Sequence, residues 1–92
     1  MIANFNHPGL ERLFFHAEWS QVHAPDPQKI RRILARLHRA AIPAEMDVPG
    51  FRLAPAHRSD GDYWSVTITG PHLILFRMVD GHARDVTLST NY

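Results

Sequence analysis

The sequence predicts an α+β fold in which two N-terminal helices pack on a small antiparallel β-sheet. Before residue 43 the apolar residues recur at the three- and four-residue spacing of amphipathic helices. From residue 51 onward they alternate with polar residues, as they do in strands that bury one face. A chain of 92 residues is long enough for one small domain, so we expect a single domain over residues 1–92.

The first helix is expected to begin at Pro8, because proline is well tolerated in the first helical turn. Leu10, Leu13 and Phe14 then recur at helical spacing, and the helix should continue to about Glu18. Residues 20–25 have the composition of a loop.

The second helix is expected within the stretch from Asp26, a favourable N-cap, to Ile42, because Pro43 ends it. One side of this helix is apolar and carries Ile30, Ile33, Leu34, Leu37 and Ala41. A separate arc is purely basic and carries Lys29, Arg32, Arg36 and Arg39. Since the net charge of the whole chain is only +1, this concentration of charge favours contact with phosphates or with an acidic protein. A simply solvated face is the alternative.

Residues 44–50 are expected to form a connector, and four strands should follow it. We expect an edge strand over residues 51–56 that contains Pro55, a half-buried strand over 63–69, a central strand over 72–79 and a last strand around 85–89. Turns should separate them at Asp60-Gly61, Gly70-Pro71 and Asp80-Gly81. The helices should cover one face of the sheet and leave the other face solvated.

Composition excludes several classes of function. The chain has no cysteine, so disulfides, thiolate metal sites and cysteine nucleophiles are excluded. Its seven histidines lack metal-ligand spacing, and we expect neither a metal nor another cofactor. No apolar run approaches the length of a membrane span, and the N-terminus lacks the features of a signal peptide. We therefore expect a cytoplasmic protein that does not associate with membranes.

Several short motifs follow one another in a characteristic order along nearly the whole chain. They are Gly9-Leu10-Glu11-Arg12-Leu13-Phe14, Arg31-Arg32-Ile33-Leu34, Met46-Asp47-Val48-Pro49-Gly50-Phe51-Arg52-Leu53, Tyr63-Trp64-Ser65-Val66-Thr67-Ile68-Thr69-Gly70, Phe76-Arg77, Asp80-Gly81 and Asp85-Val86. In order and spacing these motifs resemble the HigB-type toxins of bacterial type II toxin–antitoxin modules, which belong to the RelE/ParE superfamily.

The resemblance implies a toxin with two helices on a small antiparallel sheet that cleaves mRNA on the ribosome. It also implies a cognate helix-turn-helix antitoxin of the HigA type, through which the complex contacts operator DNA. Cleavage of this kind needs a base for the 2′-hydroxyl proton, cations for the charged phosphorane and an acid for the leaving oxygen. It needs no metal.

The sequence departs from the family at the positions that carry this chemistry. Ala54 stands where the family has a histidine, and His57 replaces a lysine. Leu73 stands where the family has a phosphate-binding arginine, between His72 and Ile74. The chain ends Thr90-Asn91-Tyr92, where the family ends Asp-Tyr-His.

Other residues are therefore the candidates for a rebuilt site. The catalytic candidates are His57, Arg77 and Tyr92, and the RNA- or phosphate-binding candidates are Lys29, Arg32, Arg36, Arg39, Arg52, Arg58, His72 and Tyr63. Arg77 should share a face of its strand with Leu73, from which it could reach the phosphate in place of the missing arginine. A structural role for Arg77, in which it pairs with Asp85, is an equal alternative. Convergence of the side chains of His57, Arg58, Arg77 and Tyr92 on one cleft would favour a nuclease. Dispersed side chains would favour a superfamily member that acts by binding a gyrase-type target, or a degenerate scaffold that binds an antitoxin.

Overall fold

The protein is described by a computed structural model that covers residues 1–20, 22 and 24–90. The elements are α1 (Pro8–His16), α2 (Pro27–Arg39), a short 3₁₀ helix (Pro43–Met46), β1 (Ala54–Arg58), β2 (Gly61–Thr69), β3 (His72–Val79) and β4 (His82–Thr90). The four strands pair antiparallel in the order β1-β2-β3-β4. The predicted α+β fold, with two helices before an antiparallel sheet, is confirmed.

Helix α1 is shorter than predicted. Nδ1 of His7 accepts a hydrogen bond from the backbone N–H of Leu10, which satisfies a donor in the first turn. The helix ends at His16 and not at Glu18, because Ala17 takes a left-handed conformation with φ 52°. The N–H groups of Ala17 and Glu18 then bond back to carbonyls of the last turn, which closes the helix.

Helix α2 begins as predicted and ends earlier. A carboxylate oxygen of Asp26 accepts a hydrogen bond from the N–H of Lys29 at 3.2 Å, which confirms the predicted N-cap. The four apolar residues predicted within the helix proper are fully buried: Ile30, Ile33, Leu34 and Leu37. Because the helix ends at Arg39 and the chain turns away, Ala40 is buried and the predicted Ala41 is exposed instead.

The connector and the first strand also differ from the prediction. Pro43 opens a 3₁₀ helix that buries Met46, so this stretch is not a plain connector. The first strand begins three residues later than expected, because Arg52 has a φ of 52° that a strand does not accommodate. As a result Arg58 lies at the end of β1 rather than in the following turn.

One face of the sheet forms the core with the helices. Val66 of β2 and Ile74 and Phe76 of β3 are fully buried against the apolar sides of α1 and α2. The opposite face was expected to be solvated, but its centre is closed, since Ser65 and Leu75 are 7 % and 2 % exposed. The burial of Ile74, Leu75 and Phe76 confirms that the middle of β3 is covered on both faces.

The first six residues extend the sheet in a way that the sequence did not indicate. Ile2 and Phe5 form parallel bridges with Ala83 and Val86 of β4. The N–H of Ala3 donates to the carbonyl of Ala83 at 2.7 Å, and the N–H of Asn6 donates to the carbonyl of Val86 at 2.9 Å. This N-terminal segment therefore covers the edge of the sheet at β4.

Candidate functional site

The two departures at positions 54 and 73 come together on the face of the sheet that points away from the helices. Ala54 pairs with Ser65, and Leu73 pairs with Thr67 on one side and Ser89 on the other. Cross-strand partners point to the same face, and these residues alternate with the core residues of their strands. This group of five side chains carries no charge, and we call it the neutral face.

A cluster of charged side chains lies on the same face, at the end of the sheet near the β1–β2 turn. Arg77 donates from Nη2 to the backbone carbonyl of Asp60 at 2.6 Å, and its Nε lies 3.6 Å from Oδ2 of Asp85. Its guanidinium carbon stands 4.4 Å from the centre of the Tyr63 ring. Arg58 approaches the same ring at 5.8 Å and Oδ1 of Asp60 at 3.9 Å. We call these five residues the Arg77 cluster.

The expected pairing of Arg77 with Asp85 is therefore present, and Arg77 also shares a face with Leu73, as predicted. The two arginines of the cluster are balanced by two carboxylates, so the cluster presents little net charge to a phosphate. The Nε atom of Arg77 is buried without a hydrogen-bond partner among the described residues.

Tyr63 is one of the candidates for binding RNA, through stacking of its ring on a base, but the structure does not leave this ring open. The residue is 4 % exposed, because the guanidinium of Arg77 covers its ring. Its hydroxyl donates a hydrogen bond to Oδ2 of Asp60 at 2.8 Å. Burial raises the pKa of the Tyr63 hydroxyl, and the hydrogen bond to Asp60 raises it further. The same hydrogen bond is the main cause of a lowered pKa of Asp60. Tyr63 is therefore protonated and structural at neutral pH.

His57 does not join this cluster. It pairs in register with Asp62, one residue before Tyr63, so its side chain points to the other face of the sheet. Its Nδ1 lies 2.8 Å from Oδ1 of Asp62, and the imidazole is 78 % exposed. Of the four side chains expected to converge, Arg58 and Arg77 meet at Tyr63, while His57 lies apart and Tyr92 lies outside the described residues.

His72 is also separated from the Arg77 cluster. It begins β3 and pairs with Thr90 at the end of β4. Arg77 lies five positions further along the strand, which corresponds to roughly 16 Å. His72 is half-buried and lies beside Thr90 rather than beside the charged residues.

The basic arc of α2 lines a groove of about 880 Å³. Its other wall is the segment over residues 48–51, and we call this space the α2 groove. All four predicted cations line it: Lys29, Arg32, Arg36 and Arg39. Lys29 donates from Nζ to the carbonyl of Gly50 at 2.8 Å, and Arg36 donates from Nε to the carbonyl of Glu45 at 2.9 Å.

These two bonds hold the groove walls together without cancelling the charge, because a carbonyl is neutral. The acids that line the groove, Asp26 and Glu45, are outnumbered by the cations. Glu45 is further occupied by the backbone N–H groups of Ala41 and Ile42. Arg52 is exposed and lines a smaller adjoining hollow with Lys29 and Gly50.

Comparison with known proteins assigns the chain to a family. No family model matches it. Over 83 residues it is 31 % identical to a protein of Proteus vulgaris named Endoribonuclease HigB, and the alignment covers 90 % of each chain. The chain belongs to the HigB family. The two helices and the four-stranded antiparallel sheet agree with this assignment and with the RelE-like fold.

Membership of the HigB family gives the neutral face its significance. The resemblance implies a histidine at position 54 and an arginine at position 73, and the structure places these two positions on one face. In this HigB-family chain the face holds alanine and leucine there, and an excess of positive charge lies along α2 instead.

The described residues contain no group of three or more histidine, aspartate and glutamate side chains that could hold a metal ion. No helix in the described part of the chain is long enough and apolar enough to cross a membrane.

The wall of the α2 groove opposite the helix was missed by sequence reasoning. Val48, Pro49 and Phe51 line it, and they lie in a stretch that had been assigned to a connector and the start of a strand. The sequence gives no periodic signal there, because the segment is held by the turn hydrogen bond from the N–H of Phe51 to the carbonyl of Val48 and by the bond to Lys29.

Proposed function

We propose that this chain is the toxin of a type II toxin–antitoxin module and that it inhibits translation by cleaving mRNA on the ribosome. The observation that carries the proposal is the 31 % identity, over 90 % of both chains, to a protein named Endoribonuclease HigB. The proposed partners are a cognate helix-turn-helix antitoxin of the HigA type and the ribosome with its mRNA, with operator DNA contacted only through the antitoxin.

The proposed active site is not the usual one for the family. His57 has a carboxylate partner in Asp62 and an open imidazole, and this geometry suits a general acid or base. Arg58 follows it on the edge strand β1 and points to the opposite face. An RNA strand that crosses this edge would meet His57 on one side and the guanidinium groups of Arg58 and Arg77 on the other.

The remaining candidates have supporting roles in this proposal. Arg52 contacts the RNA backbone, and the cations of the α2 groove add a long-range attraction without holding the RNA in the groove, which makes binding weaker as salt concentration rises. We propose Tyr92 for proton transfer, and we propose His72, which pairs with Thr90, for phosphate binding. Tyr63 supports Arg77 and does not contact RNA.

A second function is favoured by a specific observation. The neutral face lacks the charges that the family resemblance implies, and His57 and Arg77 point to opposite faces of the sheet. This arrangement suits a family member that acts by binding, either to a gyrase-type target or to an antitoxin as a catalytically degenerate scaffold.

The two functions are separated by inducing the protein alone in a bacterial host and mapping growth and transcript 5′ ends. The variants are His57→Ala, Arg77→Ala and Tyr92→Phe. His82→Ala serves as the control for His57→Ala, because His82 is an exposed histidine on β4, at the opposite edge of the sheet from β1. We expect growth arrest with new 5′ ends in coding regions, relieved by His57→Ala and unaffected by His82→Ala.

Two other results would contradict the nuclease proposal. Arrest without new 5′ ends would assign the toxicity to a protein target. Normal growth with well-expressed, folded protein would identify a scaffold.

A further inference from the structure

We propose that the α2 groove docks an acidic amphipathic helix from a protein partner. The inference rests on the proposed function in one respect, since the antitoxin is the partner that we expect to carry this helix. The groove, the spacing of its cations and its apolar lining carry the argument, and none of them depends on RNA cleavage.

The spacing of the cations matches the spacing of side chains on another helix. Lys29, Arg32, Arg36 and Arg39 follow one another at three, four and three residues. With a rise of about 1.5 Å per residue, the gaps along the axis are about 4.5, 6 and 4.5 Å. Acidic residues at the same spacing on a partner helix would face one cation each. Because the pattern is symmetric, the match holds for parallel and antiparallel partners.

The groove also contains an apolar surface that a charged ligand alone would not use. Ala35 of α2 and Ala40 just after the helix line it on one side, and Val48, Pro49 and Phe51 line it on the other. A partner with alternating acidic and apolar positions would pair its charges with the cations and bury its apolar side chains against this lining.

The exposed side of α2 allows a close approach. Ala35 is exposed and lies beside the charged arc, between Arg32 and Arg39 along the helix, so a small side chain borders the groove there. A second hollow of about 540 Å³ lies on the other side of Ala35 and Arg32, against Trp19. Arg31 lies 5.8 Å from the ring centre of Trp19. Arginine and aromatic side chains with hollows between them are typical of protein interfaces.

These features favour a protein over RNA as the occupant. A phosphate backbone would be held by the cations but would leave the apolar lining exposed. The two acids at the groove, Asp26 and Glu45, would also repel closely spaced phosphates. A peptide can place neutral or basic residues opposite them.

The test uses the purified full-length protein and a labelled helical peptide of about 20 residues, a length at which helices become stable in water. The peptide carries glutamates at the three-four-three spacing and leucine or alanine beside them, and a matched peptide carries glutamines in place of the glutamates. Fluorescence anisotropy measures both dissociation constants. A single-stranded RNA oligonucleotide is the competitor.

The variants keep the groove walls intact. Arg32→Glu with Arg39→Glu reverses two groove charges and spares Lys29 and Arg36, which bond to the carbonyls of Gly50 and Glu45. The control, Arg12→Glu with Arg84→Glu, changes the net charge equally at exposed positions outside the groove. If the reversed protein does not fold by circular dichroism, Arg32→Gln with Arg39→Gln replaces it.

We expect the glutamate peptide to bind at least tenfold more tightly than the glutamine peptide. The groove variant should lose this preference and the control should keep it. Equal binding of the two peptides, or equal losses in groove variant and control, would overturn the proposal. Displacement of the peptide by RNA, with RNA binding lost in the groove variant alone, would assign the groove to RNA and also overturn it. This experiment measures peptide binding and not RNA cleavage. A failure of the docking proposal would therefore leave the proposed RNA cleavage testable, and the reverse also holds.

Discussion

Replacing Leu73 with arginine should raise the RNA-cleaving activity that we propose for this chain. The resemblance to the HigB family implies a phosphate-binding arginine at this position, and the structure places Leu73 on the neutral face between Thr67 and Ser89. The substitution Leu73→Arg would return a cation to that face without disturbing the helical core, because Leu73 is half-buried on the side away from the helices.

The size of the effect follows from the surroundings of the new side chain. Arg77 is flanked by Asp60 and Asp85, whereas the cross-strand neighbours of Leu73 are uncharged. The introduced guanidinium would therefore keep its charge available, with its methylene groups lying on the sheet. A hydrogen bond to a charged group contributes about 1.5–3 kcal/mol. If that contact forms in the transition state, the rate rises by a factor of about 10 to 150.

The assay is cleavage of an mRNA in a reconstituted translation reaction, followed by mapping of 5′ ends for wild type, Leu73→Arg and Leu73→Met. The methionine variant keeps the apolar character and approximate size of the side chain, so it should behave as wild type. An arginine variant that is folded and binds ribosomes, yet cleaves no faster than the methionine variant, would show that this face does not meet the scissile phosphate.

Three further predictions concern stability. Burial raises the pKa of Tyr63 above its ordinary value of 10.0, so its contribution to the free energy of unfolding is present below pH 10 and is lost as pH rises through the folded-state pKa. Tyr63→Phe should remove this alkaline loss in urea unfolding. The hydrogen bond from Tyr63 lowers the pKa of Asp60 below 3.8, so the contribution of Asp60 is present above that pH and is lost as pH falls through the folded-state pKa. Asp60→Asn should remove this acid loss in the same measurement. Leu37→Ala should lower the free energy of unfolding by about 2–5 kcal/mol, because Leu37 is fully buried, whereas Arg39→Ala on the exposed side of the same helix should change it by about 0.5 kcal/mol or less.

Local rules account for the parts of the fold that were predicted correctly. Asp26 caps α2 because its carboxylate reaches the N–H of Lys29, and this contact lies within four consecutive residues. The shared face of Leu73 and Arg77 follows from strand alternation alone. Both predictions needed no knowledge of the rest of the chain, which is why they were confirmed.

The errors arise where distant residues decide the outcome. Tyr63 lies on the predicted face, but its burial depends on Arg77, which reaches it from the next strand. The first strand was placed too early because Phe51 and Leu53 suggested alternation, while the left-handed backbone at Arg52 delays pairing until Ala54. The wall of the α2 groove depends on the bond between Lys29 and Gly50, 21 residues apart. Whether His57 and Arg77 point to the same face depends on the register between β1 and β2, which the sequence does not show.

The N-terminal segment has a consequence for the timing of synthesis. Ile2 and Phe5 are synthesised well before their partners in β4, Ala83 and Val86. At about 5–20 residues per second, the roughly 80 residues between them take on the order of 4–16 seconds. Throughout that interval the N-terminal segment has no strand to pair with. A chain released before β4 is made therefore has a sheet that cannot close at this edge, and the complete fold forms only after β4 has been synthesised.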